Sequence, residues 1–320
     1  MKLKRWLAKA ARLLGKSPPA PASAEGLESP YARLREPALA AATVTPARTE
    51  VKDIFLLDRV TPWPLSTVGL FFPERGVALL RDPYRGSPGR LIQWNLEGTA
   101  YPLYGDWQGT GREAIGFFHR ASRYFILWSD EHNEEPNIQF PFGPQDSNWL
   151  PLAGDWDGDG KHGVGFYDPD RGLFLIRNAL SAPAVPETEF PFAVVAHGCL
   201  PLAGDWNGDG RDGIGLFDPV TATFYLRDEL CSGPPDHTLR LAAPSAACLP
   251  LAGDWNGDGR DGIGCYDPER GRFYLRNALS SGEAETSFSF GPGGVGALPF
   301  AGRWAGPGAR HSPRSGTEDP

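Results

Sequence analysis

The stretch that decides the fold is GDWNGDGRDGIGCYD, from Gly253 to Asp267, because two earlier segments repeat it almost unchanged. These read GDWNGDGRDGIGLFD from Gly204 to Asp218 and GDWDGDGKHGVGFYD from Gly154 to Asp168. A weaker copy, GDWQGTGREAIGFFH, begins at Gly105, and a last trace, LPFAGRW, ends at Trp304. The copies start 49 or 50 residues apart. A fixed period of about 20–50 residues is the signature of a repeat architecture.

Each period reads as strands throughout. In the last full copy, CLPLAGDW, GIGCYDP, RFYLRN and TSFSF are short apolar or alternating runs separated by Gly, Asp, Asn and Pro. Runs of about five residues bounded by such turn residues are typical of β-strands. Four strands in a period of this length form one blade of a β-propeller. The sequence therefore predicts an all-β propeller of four-stranded blades. A parallel β-helix is the weaker alternative, because its turns are shorter than this period.

The two ends of the array predict how the ring closes. TVGLFFPERGVALLRD, from Thr67 to Asp82, aligns with the second and third strands of the other copies, and RLIQWN supplies a fourth. LPFAGRW is a first strand with no blade after it. We therefore expect the C-terminal strand to complete the N-terminal blade, which gives about five blades and removes the exposed sheet edges. A separate first strand near Val60 to Ser66 is an alternative closure.

The propeller is assigned to residues 51–304, and its flanks differ in composition. Residues 1–16 hold six basic side chains, no acid, and apolar residues on one helical face. That pattern is typical of a cationic amphipathic helix that contacts a membrane surface or a partner, while an export signal or a solvated tail remains open. Residues 17–50 are predicted to be a flexible Pro/Ala-rich linker and residues 305–320 a disordered tail. An extracytoplasmic or cell-surface location is favoured over a cytoplasmic one.

Acidic side chains concentrate in the repeated loops. The net charge is −8, and the three full loops hold nine carboxylates, whose removal would leave a net charge of +1. This concentration argues for a bound cation and against a nucleic-acid partner, which needs a basic face. The four cysteines show no CxxC spacing, so they predict no zinc site. A bridge between Cys231 and Cys248 within one blade is left open.

The loops present oxygen-bearing side chains at alternate positions. In the middle copy Asp205, Asn207 and Asp209 stand at loop positions 1, 3 and 5, Gly210 follows at position 6, and Arg211 at position 7 offers its carbonyl. This is the ligand spacing of short calcium loops, in which Gly permits the sharp turn. An EF-hand is excluded because the flanks are strands and position 12 carries no side-chain oxygen.

The phrase resembles the FG-GAP or VCBS-type repeat, the calcium-loop propeller repeat of integrin α subunits, of many bacterial surface proteins and of some lectins. The resemblance covers about three quarters of the chain and implies a calcium ion held at loop positions 1, 3, 5, 7 and 9. Position 9 is usually Asp in that family but is Gly163, Gly213 and Gly262 here. We take the acids one place earlier as substitutes, directly or through water. About three Ca²⁺ ions are expected, and the predicted ligands are Asp155, Asp157, Asp159, Lys161, Asp205, Asn207, Asp209, Arg211, Asp212, Asp254, Asn256, Asp258, Arg260 and Asp261.

The two weaker copies are not expected to hold an ion. The copy at Asp106 has Thr110 in place of the position-5 acid, and the last copy has Arg303 in place of the position-1 Asp. Without any ion the same loops would be hairpins closed by Asx turns. Three carboxylates in one loop repel each other, however, and a turn alone does not need them.

Two other residue types recur once per blade. We expect the tryptophans of the GDW phrases to pack between neighbouring blades rather than to stack on sugars. We expect the arginines that end the third strands, Arg81, Arg177, Arg227 and Arg276, to pair with carbonyls or carboxylates. Residues 119–149 depart most from the repeat and contain Trp149, which we expect to be exposed, so a binding surface private to one blade is placed there.

These patterns predict a non-catalytic binding module, stabilised by calcium, that recognises a protein or a glycan, because such function lies on loops held by a rigid scaffold. One alternative is a calcium-dependent lectin with sugar sites between blades. Another is a propeller glycosidase, which would need a pair of carboxyl groups. We find no Ser/His/Asp order, no phosphate loop and no recurring acid pair outside the calcium loops, so we expect no enzyme. The expected partners are a protein or glycan ligand and, through residues 1–16, a membrane surface.

Overall fold

The computed structural model describes residues 65–81, 88–93, 100–129, 135–144, 148–182, 185–192, 198–242, 248–294 and 296–304. Every regular element in these ranges is a β-strand. Among the same residues the chain forms no helix that could traverse a bilayer. The predictions for residues 1–16, 17–50 and 305–320 fall outside the described residues.

The strands form five antiparallel sheets, which are the blades of a five-bladed propeller. Blade 1 contains β1 (Thr67–Phe72), β2 (Val77–Arg81), β3 (Pro88–Gln93) and β21 (Leu298–Gly302). Blade 2 contains β4 (Ala100–Gly105), β5 (Ala114–His119), β6 (Tyr124–Leu127) and β7 (Ile138–Pro141). Blade 3 contains β8 (Leu150–Gly154), β9 (Gly163–Asp168), β10 (Leu173–Arg177) and β11 (Thr188–Pro191). Blade 4 contains β12 (Leu200–Gly204), β13 (Gly213–Asp218), β14 (Thr223–Arg227) and β15 (His237–Ala242). Blade 5 contains β16 (Leu249–Gly253), β17 (Gly262–Asp267), β18 (Arg272–Arg276) and β20 (Thr286–Ser289), and the short β19 (Gly282–Glu283) adds to β15 of blade 4.

The ring closes through its two ends, as the sequence predicts. β21 pairs with β1 and sets Phe300 opposite Gly69. A Cβ at Gly69 would lie 2.3–2.8 Å from three atoms of the Phe300 ring, so only glycine leaves room for that ring. The first-strand place beside β1 is thus filled by the C-terminal strand. The alternative first strand near Val60 to Ser66 falls mostly outside the described residues.

The first strands of the five blades surround the central axis, each in contact with the two beside it. Each carries a proline near its start, and the five prolines line a cavity of about 50 Å³ at that end of the ring. An innermost strand has one unpaired edge, and proline, which lacks an N–H, is accepted on such edges. The repeated loops follow the other ends of these strands. The prolines are Pro102, Pro151, Pro201, Pro250 and Pro299.

Two recurring residue types take the structural roles expected of them. The GDW tryptophans are buried, with Trp206 only 2% exposed, and Trp255 packs half-buried against the same core. Trp107 reaches the next blade, where its ring lies edge-on to His162. The arginines that end the third strands of blades 3, 4 and 5 donate hydrogen bonds to carbonyls of the loop that leads to the fourth strand.

One sequence expectation is wrong, and the bridge between Cys231 and Cys248 that the sequence left open is not formed. Trp149 is half-buried rather than exposed, because its ring packs on Phe166 with 5.9 Å between the ring centroids. Cys231 is exposed and does not approach Cys248. The Cys248 sulfur instead lies 2.7 Å from that of Cys265, since Cys248 directly precedes β16 and Cys265 lies in the neighbouring strand β17.

Candidate metal loops

The three full loops share one backbone conformation. Each leaves its first strand and returns in the second through a tight turn with left-handed glycines at loop positions 4 and 6. In the loop after β12 these are Gly208 and Gly210, with φ of 78° and 87°. L-residues with a side chain rarely adopt such angles, so the GDG spacing is required by the turn itself.

The position-1 carboxylate holds each loop together. Asp205 accepts hydrogen bonds from the N–H groups of Gly208 at 2.7 Å and Asp209 at 3.1 Å through Oδ1, and from that of Gly210 at 2.9 Å through Oδ2. Asn207 in turn accepts from Asp209, and Asp209 accepts from Arg211. These local bonds orient the oxygens of positions 1, 3 and 5 before any ligand arrives.

The loop after β8 brings three carboxylates together. Asp155, Asp157 and Asp159 each offer an oxygen, and these three oxygens lie within 4.8 Å of one another. Calcium binds oxygen at about 2.3–2.6 Å, so ligands around one ion are separated by distances of this size. Burial raises the pKa of Asp155, and the charge of Asp159 adds to the rise. A cation at this position would relieve the same repulsion.

The other two full loops carry Asn at position 3, which changes their charge. The amide nitrogen of Asn207 donates to Asp209 Oδ2 at 3.0 Å, and that of Asn256 donates to Asp258 Oδ2 at 2.9 Å. In each of these two loops, the side chains at positions 3 and 5 therefore form a hydrogen bond. In the loop after β8, the same two positions carry two neighbouring carboxylates.

The residue at loop position 8 contacts the preceding blade, whereas the sequence predicted that it binds an ion in its own loop. The carboxylate of Asp212 accepts a hydrogen bond from the N–H of Asp155 at 2.7 Å, and the N–H of Asp212 donates to the Asp155 carbonyl at 2.8 Å. Asp261 forms the same pair of bonds with Asp205. One oxygen of each of these two predicted ligands is thus engaged by the preceding blade rather than directed into its own loop.

The remaining blades use other residues for the same contact. His162 accepts from the N–H of Asp106 through Nδ1, and burial lowers the pKa of this imidazole. Ser66 accepts from the N–H of Asp254 through its hydroxyl oxygen. Glu113 accepts from both the N–H and the guanidinium of Arg303, so the guanidinium that stands in place of the position-1 carboxylate is paired with an acid.

Burial and crowding shift the pKa values of the position-8 acids. Burial raises the pKa of Asp261 to about 7, with the charges of Asp205 and Asp254 adding to the rise and Arg303 opposing it. Burial, followed by the charge of Asp261, raises the pKa of Asp212 well above its ordinary value.

Position 9 is glycine for a steric reason. A Cβ at Gly213 would lie 2.2 Å from the carbonyl oxygen of Arg227 and 2.9 Å from the Cα of Asp228, which leave no space for a side chain. Gly163 and Gly262 meet the carbonyls of Arg177 and Arg276 in the same way. An Asp at this position, as in the repeats that the loops resemble in sequence, therefore cannot be accommodated.

A residue that the sequence did not single out faces each loop. Asn178, Asp228 and Asn277 directly follow the third strands of their blades, and each has a buried Oδ1 with no hydrogen-bond partner among the described residues. Asn178 donates its amide to Asp157 Oδ2 at 2.9 Å. Burial raises the pKa of Asp228, and the charges of Asp209 and Asp205 contribute. Asn277 lines one cavity of about 590 Å³ together with Asn256 and Asp258. The recurring dipeptides RN, RD and RN, each beginning 14 residues after position 9 of its loop, were the signal available in the sequence.

The weaker loop after β4 is closed by hydrogen bonds alone. Asp106 accepts from the N–H groups of Gln108 and Gly111 and from the Thr110 hydroxyl. Asp106 is its only carboxylate at positions 1, 3 and 5.

No family model and no curated protein matches this sequence. Solved structures that resemble it include a protein of unknown function from Bacteroides caccae, with 8% identity, coverage of 71% of this chain and 73% of that one, and a TM-score of 0.41. An Agrocybe aegerita lectin that recognises non-reducing terminal N-acetylglucosamine has 12% identity, coverage of 71% and 76%, and a TM-score of 0.37. The Vibrio cholerae biofilm matrix protein Bap1 has 12% identity, coverage of 74% and 41%, and a TM-score of 0.29. Because these identities and TM-scores are low, the assignment of the propeller fold depends on the sheet topology of this chain alone.

Proposed function

We propose that this protein is a non-catalytic binding module, a five-bladed propeller whose three full loops each hold a Ca²⁺ ion and whose rim recognises a macromolecular ligand. The observation that carries the proposal is the set of oriented loop oxygens, together with a further buried and unpaired oxygen beside each set. Carboxylate and amide oxygens are the donors that calcium prefers.

The position of the loops favours a structural role for the ion. The basic residue at position 7 lies over the loop of the preceding blade, so that a Cβ at Gly158 would meet Arg211 Cγ at 2.9 Å and one at Gly208 would meet Arg260 Cγ at 2.9 Å. An ion that orders one loop therefore also supports its neighbour. A site with a Kd about 100-fold below the free calcium concentration adds about 2.7 kcal/mol to the free energy of unfolding.

A groove between blades 4 and 5 is the surface that best fits a ligand. It has a volume of about 940 Å³ and is lined by Arg240, Arg270, Arg272 and Tyr274, and its floor includes Gly282 of β19. Arg270 is paired with Asp267 at 2.6 Å, whereas Arg240 and Arg272 form no ion pair within the described residues. Three arginines together on a chain of net charge −8 favour an acidic ligand, and we place an acidic protein segment first.

A lectin is the second candidate, because the same groove sets the ring of Tyr274 beside these arginines. An acidic sugar could stack on the ring and pair with a guanidinium.

The calcium part is tested by thermal unfolding of the full chain in EDTA and in about 2 mM calcium, with bound ions counted by native mass spectrometry. We expect a marked upward shift and about three ions, whereas magnesium, which demands stricter octahedral geometry, should give a smaller shift. The absence of both a shift and bound metal would refute the calcium sites.

The recognition part is tested in calcium by screening acidic peptides and a glycan array. The double variant Arg240→Glu, Arg272→Glu should lose any ligand found, while Arg171→Glu, an exposed arginine on blade 3, serves as the control. A ligand retained by the double variant would place recognition on another surface.

A further inference from the structure

We propose that the last protein ligand of each calcium ion is the side chain that follows the third strand of the blade, namely Asn178, Asp228 and Asn277. This inference rests on the calcium sites of the proposed function and replaces the position-9 carboxylate that related repeats use.

The steric block at position 9 and its replacement come from the same segment. The atoms that exclude a side chain at Gly213 are the carbonyl oxygen of Arg227 and the Cα of Asp228. At Gly262 a Cβ would lie 2.4 Å from the Arg276 carbonyl and 2.7 Å from the Cα of Asn277. The backbone that occupies the position-9 space therefore also brings an oxygen-bearing side chain to the edge of the loop.

The unpaired oxygens recur in all three full blades. Leaving a buried polar atom without a partner costs about 1–3 kcal/mol, so the same orphaned oxygen at three equivalent places needs a common explanation. An ion held by the adjacent loop supplies it. The backbone that carries each oxygen is held in place, because Glu187, Asp236 and Glu285 accept a hydrogen bond at 3.0 Å from the backbone N–H of Asn178, Asp228 and Asn277 respectively.

Blades 3 and 4 carry one carboxylate and one amide at the same two places, loop position 3 and the residue after the third strand, but in opposite order. Blade 3 has Asp157 at loop position 3 and Asn178 after the third strand, whereas blade 4 has Asn207 and Asp228 at these places. Each set then contains three carboxylates in all. The direct contact between Asn178 and Asp157 shows that the two places lie side by side. A shared cation explains why blades 3 and 4 keep the same charge although it stands at different places. Blade 5 has Asn256 and Asn277 at these places, so its set holds two carboxylates and should bind calcium more weakly.

Blade 2, which has the weaker loop, lacks both the position-5 carboxylate and the Asn or Asp after the third strand. Blade 2 has Thr110 at loop position 5 and Ser129 after the third strand. The N–H of Ser129 is engaged by the side chain of Asn137 at 2.9 Å.

The test uses the full chain with Asp228→Ala and, as the matched control, Asp228→Asn, which keeps the oxygen. Bound calcium is counted by native mass spectrometry and titrated by calorimetry. We expect Asp228→Ala to weaken calcium binding at one of the three sites by about 10- to 100-fold. Replacing a residue that only hydrogen-bonds to a metal ligand already costs this much. Asp228→Asn should retain three ions. Asn178→Ala should weaken a different site and serves if Asp228→Ala fails to fold.

Unfolding in EDTA separates a ligand from a merely structural residue. A ligand role predicts that Asp228→Ala melts in EDTA at or above the wild-type temperature, because the variant no longer buries an unpaired oxygen. Three ions bound to Asp228→Ala with unchanged affinity would overturn the inference and leave the calcium loops standing. A wild-type protein that binds no calcium would instead refute the proposed function itself.

Discussion

The carboxylate of Asp212 and the backbone of Asp155 are joined by two hydrogen bonds of 2.7 and 2.8 Å, one in each direction, across the boundary between blades 4 and 3. Equivalent two-bond contacts link Asp261 to Asp205, His162 to Asp106 and Ser66 to Asp254. At the fifth boundary Glu113 accepts a hydrogen bond from the N–H of Arg303 at 2.7 Å. All five blade boundaries are therefore fastened at the loop end of the first strand by the residue at position 8. This explains why the position tolerates Asp, Glu, His and Ser, which share only an acceptor of suitable reach.

Replacing Asp212 with Ala should destabilise the protein. The N–H of Asp155 loses its acceptor in a half-buried place, which costs about 1–3 kcal/mol, whereas Asp212→Asn keeps an acceptor and should cost less. Urea unfolding in EDTA measures both. Equal losses for the two variants would contradict the contact described. The same variants test the sequence prediction, because Asp212→Ala retains three ions if its carboxyl is not a calcium ligand.

The pKa of Asp261 predicts how stability depends on pH. Its pKa is about 7 in the folded chain against an ordinary 3.8. Between these values the unfolded chain has lost the proton while the folded chain retains it. The contribution of this group to stability is thus fully present at low pH, falls as pH rises through that window, and levels off above pH of about 7. Asp261→Asn should flatten that fall in free energies of unfolding measured in EDTA from pH 5 to 8. An unchanged slope would mean that Asp261 titrates normally.

Gly69 and Phe300 join the two ends of the chain and provide a test of closure. Gly69→Ala places a methyl group against the Phe300 ring and should cost about 1–3 kcal/mol by overpacking. Phe300→Ala should cost about 3–5 kcal/mol, because the ring is only 5% exposed. In the double variant the penalty of Gly69→Ala should largely disappear. Additive losses in urea unfolding would contradict this direct contact.

Cys248 and Cys265 should react with each other in preference to outside reagents. Their sulfurs lie 2.7 Å apart in the core of blade 5. The hydrogen bond to Cys248, followed by burial, raises the pKa of the Cys265 thiol, which slows its reaction with exogenous thiol reagents. A protein refolded with a glutathione redox couple should lose the mass of two hydrogen atoms. Peptide mapping should assign the bridge to these residues, and Cys265→Ser should abolish it. A bridge to Cys231 would contradict the prediction.

The sequence predicted what is encoded locally or repeated. Blade count, strand order and closure follow from the 49- and 50-residue spacing and from a lone first strand at Trp304. The tight turn that holds Asp205 and Asp209 together could be predicted because the two residues lie within five residues of one another. The Asp212–Asp155 contact spans 57 positions and Asn178 meets Asp157 across 21, so both depend on how the strands pack. The residues recur with the repeat, but the sequence does not show which residues they contact. Trp149 was misjudged for the same reason, because Phe166 lies in the next strand of the blade.

Changing the charge at loop position 3 should have opposite effects on stability without calcium and on calcium affinity. Asp157→Asn removes one of three crowded carboxylates, so its melting temperature in EDTA should rise slightly, by an amount equivalent to about 0.2–1 kcal/mol. The upward shift produced by calcium should shrink, since affinity depends on the number of charged ligands. Asn207→Asp should do the opposite, because it adds a carboxylate and removes the hydrogen bond from Asn207 to Asp209. Melting curves at several calcium concentrations measure both effects. If each variant changed the melting temperature by the same amount in EDTA and in calcium, the loops would be plain turns that bind no ion. Only a bound cation reverses the effect of an added negative charge.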